Sequence, residues 1–173
     1  MESKAIGWGK CNIIVKDLDA VGAKWTKLPT PKENTTKLTP TKGDKKEAPI
    51  EGGENEAVKY SANKYLVEYV IRRLQGRKKP FADVNGVVTH HYAIFIQPEN
   101  VNVPGPKIEN TVVSLADEYS TEEGGILTYN HDALKPESGN IVKWGTITKD
   151  LSTVAVGETI EDADFVFTDI DAS

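Results

Sequence analysis

The sequence predicts a mainly β chain: an antiparallel β-sandwich or barrel with one short flanking helix and a long projecting hairpin or loop. Three observations lead there. Short runs rich in β-branched and aromatic residues recur, with turn residues between them. No alternation of strand and helix patterns is visible. A long, polar, Gly-containing stretch, Pro29 to Tyr60, breaks the series and feeds into the dense apolar run Lys64–Leu74.

The elements follow in order. Asn12–Val15 (NIIV) is short and β-branched, and Lys24–Leu28 (KWTKL) alternates and stops at Pro29. Asp17–Gly22 between them reads as a turn, so the first 30 residues predict a hairpin. Pro29–Lys46 carries three prolines and many Thr and Lys. Its composition permits disorder, but Thr35, Thr36, Thr39 and Thr41 favour extended backbone. Turn signals at Gly43–Asp44 and Gly52–Gly53 favour a projecting hairpin.

Lys64–Leu74 fits two periods. With period two, Tyr65, Val67, Tyr69 and Ile71 share a face; with period 3.6, Leu66, Val67, Val70, Ile71 and Leu74 form a stripe ending at Gly76. Its β-branched and aromatic content selects the strand. GRKKP (Gly76–Pro80) is a basic connector, and Phe81–Gly86 reads as a turn or short helix. His90–Gln97 alternates as a strand and ends at Pro98; residues 98–107 form a Pro-rich loop. Thr111–Leu115, Gly125–Tyr129, Ile141–Thr148, Val154–Val156 and Asp164–Thr168 complete about seven to nine strands. One helix is allowed, at Lys78–Val84 or at Lys64–Leu74.

Composition bounds the function. The 173 residues suffice for a single domain, 1–173, with 29–60 as an arm. Hydrophobic residues make up 38%, below the usual share of about 45–50%, so the core is modest or much of the chain is arm and loop. The net charge of −5 argues against a dedicated nucleic-acid binder, although Arg72, Arg73, Arg77, Lys78 and Lys79 cluster. Cys11 is the only cysteine, which excludes an intrachain disulfide and reads as a small apolar strand residue. The N-terminus lacks the apolar core of a signal peptide, and no window approaches the roughly 20 apolar residues of a membrane helix. An aqueous, reducing compartment is expected.

No catalytic, cofactor-binding or metal-ligating residue is assigned, and no cofactor is expected. Nucleotide-binding glycine loops and the G-x-S-x-G elbow are absent. His90 and His91 are neighbours on a strand and point to opposite faces, and His131–Asp132 lacks further ligands at a defined spacing; surface or strand-end histidines are expected. The acids, Glu51, Glu54, Glu56, Asp117, Glu118, Glu122 and Glu123 among them, fall in polar turns and read as solvated faces. The cluster RRLQGRKKP reads as a solvated connector or as salt-bridge partners. Trp8, Trp25 and Trp144 read as anchors of a core or of a subunit contact.

Four stretches resemble bacteriophage and prophage tail tube proteins, especially those of Bacteroidales-type hosts. They are GWGKCNIIVKDLD, TPTKGDKKEAPIEGGENEAVKYSANKYLVEYVIR, FIQPENVNVPGPKIE and LKPESGNIVKWGTIT, spread over most of the chain. The resemblance implies two packed antiparallel sheets or a barrel with a flanking helix. It implies hexameric rings that stack into a hollow tube, as type VI secretion Hcp rings do. Inner strands would line a lumen through which DNA or an effector passes without specific binding. The long hairpin would reach a neighbouring subunit or ring. Self-association and other tail proteins are the implied partners; the location is the virion, or the host cytoplasm during assembly, with no membrane contact. The intersubunit candidates are Lys42, Asp44, Lys45, Lys46, Glu51, Glu54, Glu56, Arg72, Arg73 and Arg77. The basic residues are expected outside the lumen or at a ring–ring contact, opposite the three glutamates. Two other readings stand beside this one. A β-sandwich module for glycan or protein would need an exposed aromatic cleft, with Trp25 and Trp144 as candidates. A hydrolase would need Asp or Glu to converge with His131.

Overall fold

The computed structural model describes residues 4–171. Twelve strands lie among them: β1 Asn12–Asp17, β2 Trp25–Lys27, β3 Lys37–Thr41, β4 Lys45–Pro49, β5 Asn55–Tyr60, β6 Lys64–Arg72, β7 Val87–Gln97, β8 Gly105–Ser120, β9 Gly124–Ala133, β10 Val142–Ile147, β11 Thr159–Ile160 and β12 Phe167–Asp169. All pairings are antiparallel, and the main sheet runs β11-β2-β1-β7-β8-β9-β6-β3. The sheet does not close into a barrel. β8 forks it: one edge pairs with β7 between Lys107 and Ser114, while the other takes β10 over Gly105–Ile108 and β9 over Thr111–Ser120. Register shifts between β7 and β8 bend the sheet there, and both Ile108 and Thr111 are buried although they are three residues apart.

Alternation along β1 and β7 splits the core into two layers. Ile13, Val15, Tyr92, Ile94 and Ile96 enter a large cluster with Val67, Tyr69 and Ile71 of β6 and Leu127 and Tyr129 of β9. Ile14, Ala93 and Phe95 point the other way, onto Trp25, Ile147, Leu151 and Ile160. Strands buried on both faces read as continuous apolar runs, which is why NIIV and AIFI do. The result is sandwich-like: a curled sheet with its main core inside and a C-terminal cover outside. Lys27 ties that cover down. Its buried ammonium donates to the carbonyls of Leu151 (2.9 Å) and Val154 (2.8 Å), and burial lowers its pKa.

The expected hairpin of the first 30 residues forms as β1–β2, and Lys64–Arg72 is a strand. Other expectations are corrected. Neither proposed helix position is helical; the helical content among the described residues is two 3₁₀ turns, Leu151–Thr153 and Asp162–Asp164. Val154–Val156 is no strand, and β11 follows it instead. At Phe81–Gly86, Asn85 (φ 51°) and Gly86 (φ 84°) make a two-residue reversal between Val84 and Val87. Phe81, just before it, plugs the core, its ring centroid 4.6 Å from that of Tyr92 and 5.2 Å from that of Tyr129. No helix among the described residues is long and apolar enough to cross a membrane.

Candidate functional site

The first feature is a ribbon. β4 and β5 pair only with each other, and every residue of both strands is exposed. Their register continues that of β3 and β6: Thr41 faces Lys64, and Lys45 faces Tyr60. The two hairpin arms are thus one ladder, interrupted at residues 42–44 and 61–63. The interruption is held by Ser61 N–H donating to the Asp44 carbonyl (2.8 Å) and Gly43 N–H to Asn63 Oδ1 (3.1 Å). Gly43 is needed there because a Cβ would run into the Ser61 carbonyl. Gly43–Asp44 is therefore not a second turn, as the sequence suggests. The one reversal is at Gly52 (φ 95°) and Gly53 (φ 84°), closed by Ile50 N–H donating to the Glu54 carbonyl (2.8 Å). At about 3.3 Å per residue, Ile50 lies about 30 Å beyond Thr41.

The ribbon carries Lys42, Asp44, Lys45, Lys46, Glu51, Glu54 and Glu56, all of them exposed; Gly43 at the joint is half-buried. Lys45 and Glu47 form an ion pair at 2.6 Å. Lys46 and Lys59 stand directly opposite one another, an arrangement that costs stability on a free ribbon. From Glu47 to Glu56 the tip holds four glutamates and no base, together with half-exposed Ile50.

Arg72, Arg73 and Arg77 sit at the opposite pole, about 25 Å from Lys64 along β6. Arg72 pairs with Glu123 (3.3 Å), Arg73 with Asp117 (2.9 Å), and Lys79 with Asp83 and Asp117 (3.1 Å each). Arg77 donates to the Arg72 carbonyl at 3.0 Å. Arg72, Arg73 and Lys79 are thus paired within their own chain, largely by the β8–β9 hairpin, while Arg77 and Lys78 have no carboxylate partner among the described residues. The three ribbon glutamates cannot reach this basic cluster within one chain.

The second feature is a cleft of about 760 Å³ beside the ribbon root. Its walls include Trp8, Trp144, Pro31, Pro98, Pro104 and Pro106, and Lys10, Lys32 and Lys37 line it with Glu33. Trp8 is 76% exposed and Trp144 40%. Glycines seat Trp8: a Cβ on Gly7 would lie 2.9 Å from Val103, and Gly9 (φ 92°) packs against the Glu99 carboxylate. The backbone is thereby pressed onto the 98–103 loop while the indole stays in solvent. A second hollow, of about 620 Å³, adjoins the cleft and shares Leu38 and Trp144 with it. Trp25, by contrast, is buried and stacks on Phe165 (centroids 4.9 Å apart). Sequence reasoning had Trp144 as a cleft candidate and missed Trp8, although the G-W-G pattern was there to signal a presented ring.

His131 is neither a surface nor a strand-end residue; it is fully buried. Thr111 Oγ1 donates to the Tyr92 carbonyl (2.7 Å), so it must accept from His131 Nδ1–H (3.0 Å). His131 Nε2 is then an acceptor for the Tyr69 hydroxyl (2.7 Å). Burial holds the ring neutral, with its pKa pushed down to about 3. Its partners among the described residues are these two hydroxyls, with no carboxylate. His90 is exposed and bonds Asp17 (2.7 Å), which raises its pKa. Among the described residues no group of three or more His, Cys, Asp or Glu is placed to hold a metal ion. No protein-family model matches the chain, and no curated protein does.

Proposed function

We propose that this chain is a structural, non-enzymatic subunit of a phage-tail-like tube. It assembles as stacked rings, hexameric by the tail-tube resemblance, whose lumen passes DNA or an effector. The observation that carries the reading is the ribbon. A solvent-surrounded two-stranded ladder is marginal on its own, and this one contributes nothing to the core of its own chain. Such an element gains its stability from a partner. Its open edges offer unpaired backbone groups, and the main sheet also ends in short edge strands, β3 and β11. The net negative charge suits a channel that repels a polyanion. Ring contacts drawn from the ribbon candidates and from Arg72, Arg73 and Arg77 belong to the same proposal.

Sedimentation velocity across a hundredfold concentration range tests it. The expected result is a species several times the 19.0 kDa protomer that grows with concentration. A single protomer-sized boundary throughout sinks the reading.

The exposed Trp8–Trp144 cleft favours one other reading, a β-sandwich module that binds glycan or protein on a larger assembly. It predicts a monomer whose tryptophan emission responds to an added ligand.

A further inference from the structure

We propose that the Trp8–Trp144 cleft receives the acidic ribbon tip of a second copy of this chain. The inference rests on the assembly reading and names the surface that assembly uses. Each partner shows what the other lacks. The tip is acidic over Glu47–Glu56 and presents Ile50, 49% exposed, beside Pro49. The cleft is walled by two tryptophans and several prolines, and its lining side chains hold three lysines against one glutamate. Lys32 and Lys37 also touch carboxylates outside the cleft, Glu123 (2.8 Å) and Glu68 (3.2 Å); Lys10 touches none among the described residues. At the basic pole Asp83, Asp117 and Glu123 already hold Arg72, Arg73 and Lys79, whereas Arg77 and Lys78 pair with no carboxylate among the described residues; what sets the cleft apart as the receiver of Ile50 is its exposed Trp8 and Trp144.

Geometry makes the contact intermolecular. Leu38 of β3 lines the cleft at the root of the ribbon, while Ile50, twelve residues on, lies about 40 Å further out. A chain cannot fill its own cleft with its own tip. Tip and cleft are different surfaces of the same molecule, so the contact is head-to-tail, and it propagates into a ring or a filament. Burying Ile50 against the indoles removes apolar surface from water on both sides, and Glu51 and Glu54 then stand near Lys10 and its neighbours.

The test places a photo-crosslinking benzoylphenylalanine at Ile50 in the full-length chain. Crosslinks are mapped by mass spectrometry in a mixture of isotope-labelled and unlabelled protein, and the same samples are imaged by negative-stain microscopy. Mixed-isotope crosslinks to residues 7–11, 30–38 or 144 are expected. Trp8→Ala, which removes an exposed ring, should cut their yield about tenfold while leaving the circular dichroism unchanged. Glu51→Lys with Glu54→Lys should do the same, and adding Lys10→Glu should restore part of it. Crosslinks confined to residues 72–79, or to another tip, overturn the proposal. Rings without cleft crosslinks remove this contact and leave the tube reading standing. Cleft crosslinks without rings keep the contact and remove the tube. Tryptophan emission that shifts with an oligosaccharide or a proline-rich peptide, and not with protein concentration, gives the cleft to another ligand and also overturns it.

Discussion

Tyr69 and Tyr129 stack in the same core, with ring centroids 5.4 Å apart, yet their hydroxyls have opposite fates. Tyr69 donates to His131 Nε2, whereas the buried Tyr129 hydroxyl has no hydrogen-bond partner among the described residues. Removing one partner of a buried hydrogen bond strands the other, but removing an unpaired hydroxyl strands nothing. Tyr69→Phe should therefore cost about 1–3 kcal/mol, and Tyr129→Phe should be neutral or stabilising. Urea denaturation of both variants checks the contrast; equal losses would show that the hydroxyls are not distinguished. His131 adds a pH dependence. Its folded pKa of about 3 lies below the ordinary 6.5, so the unfolded chain takes up the proton first as pH falls. The contribution is whole above about pH 6.5 and is lost progressively from there towards pH 3, at about 1.4 kcal/mol per unit. His131→Gln should flatten the fall in stability between pH 6.5 and 5. An unchanged slope would assign that fall to other groups. None of this was legible in the sequence, where His131 looks like any strand-end histidine. Its burial depends on a fork in β8 and a plug by Phe81, both of them long-range events.

At the scale of elements, local patterns were legible where periodicity and turn chemistry agree, as in β1–β2, β7 and the Gly52–Gly53 reversal. Lys64–Arg72 was legible through its β-branched and aromatic content, which outweighed an equally good helical stripe. The Asn85–Gly86 turn carries the strongest short hairpin signal in the chain, but its flanks pair only through Val84 and Val87, too briefly to read as strands. Gly43 was misread because a glycine that avoids a steric clash looks the same in sequence as one that makes a turn. The ribbon itself was legible as a polar arm with a reversal. Its continuity with β3 and β6 was not, because register across an interruption is a property of the ladder. The ribbon should be separable from the body. Replacing residues 43–62 by Asn-Gly should leave Tm within about 2 °C, since no core residue is lost, while abolishing self-association. Gly43→Val should raise hydrogen exchange in β4 and β5 without changing exchange in β1 or β7. Coupled loss of body protection would mean that the ribbon is part of the main folding unit.

The whole molecule has two unlike poles. One carries a ribbon with an acidic tip; the other carries Arg72 and Arg73, paired with carboxylates of the β8–β9 hairpin. The aromatic, lysine-lined cleft runs from the ribbon root towards the second pole, where its Lys32 shares Glu123 with Arg72. The body is a curled, unclosed sheet with a double-layered core, and its buried groups are satisfied almost entirely from within. Among the surfaces left open are the ribbon and the cleft, which the proposed contact would join. Candidate residues on the ribbon were identifiable from charge and turn signals alone. The cleft was not, since Trp8, Pro31, Pro98 and Trp144 are brought together only by the packing of the N-terminal segment against the 98–106 loop. The most direct measurement is negative-stain electron microscopy of the purified chain at high concentration. Rings or stacked tubes of uniform diameter are predicted, lost when residues 43–62 are removed. A field of isolated protomers, unchanged by concentration and by loss of the ribbon, would contradict the assembly reading.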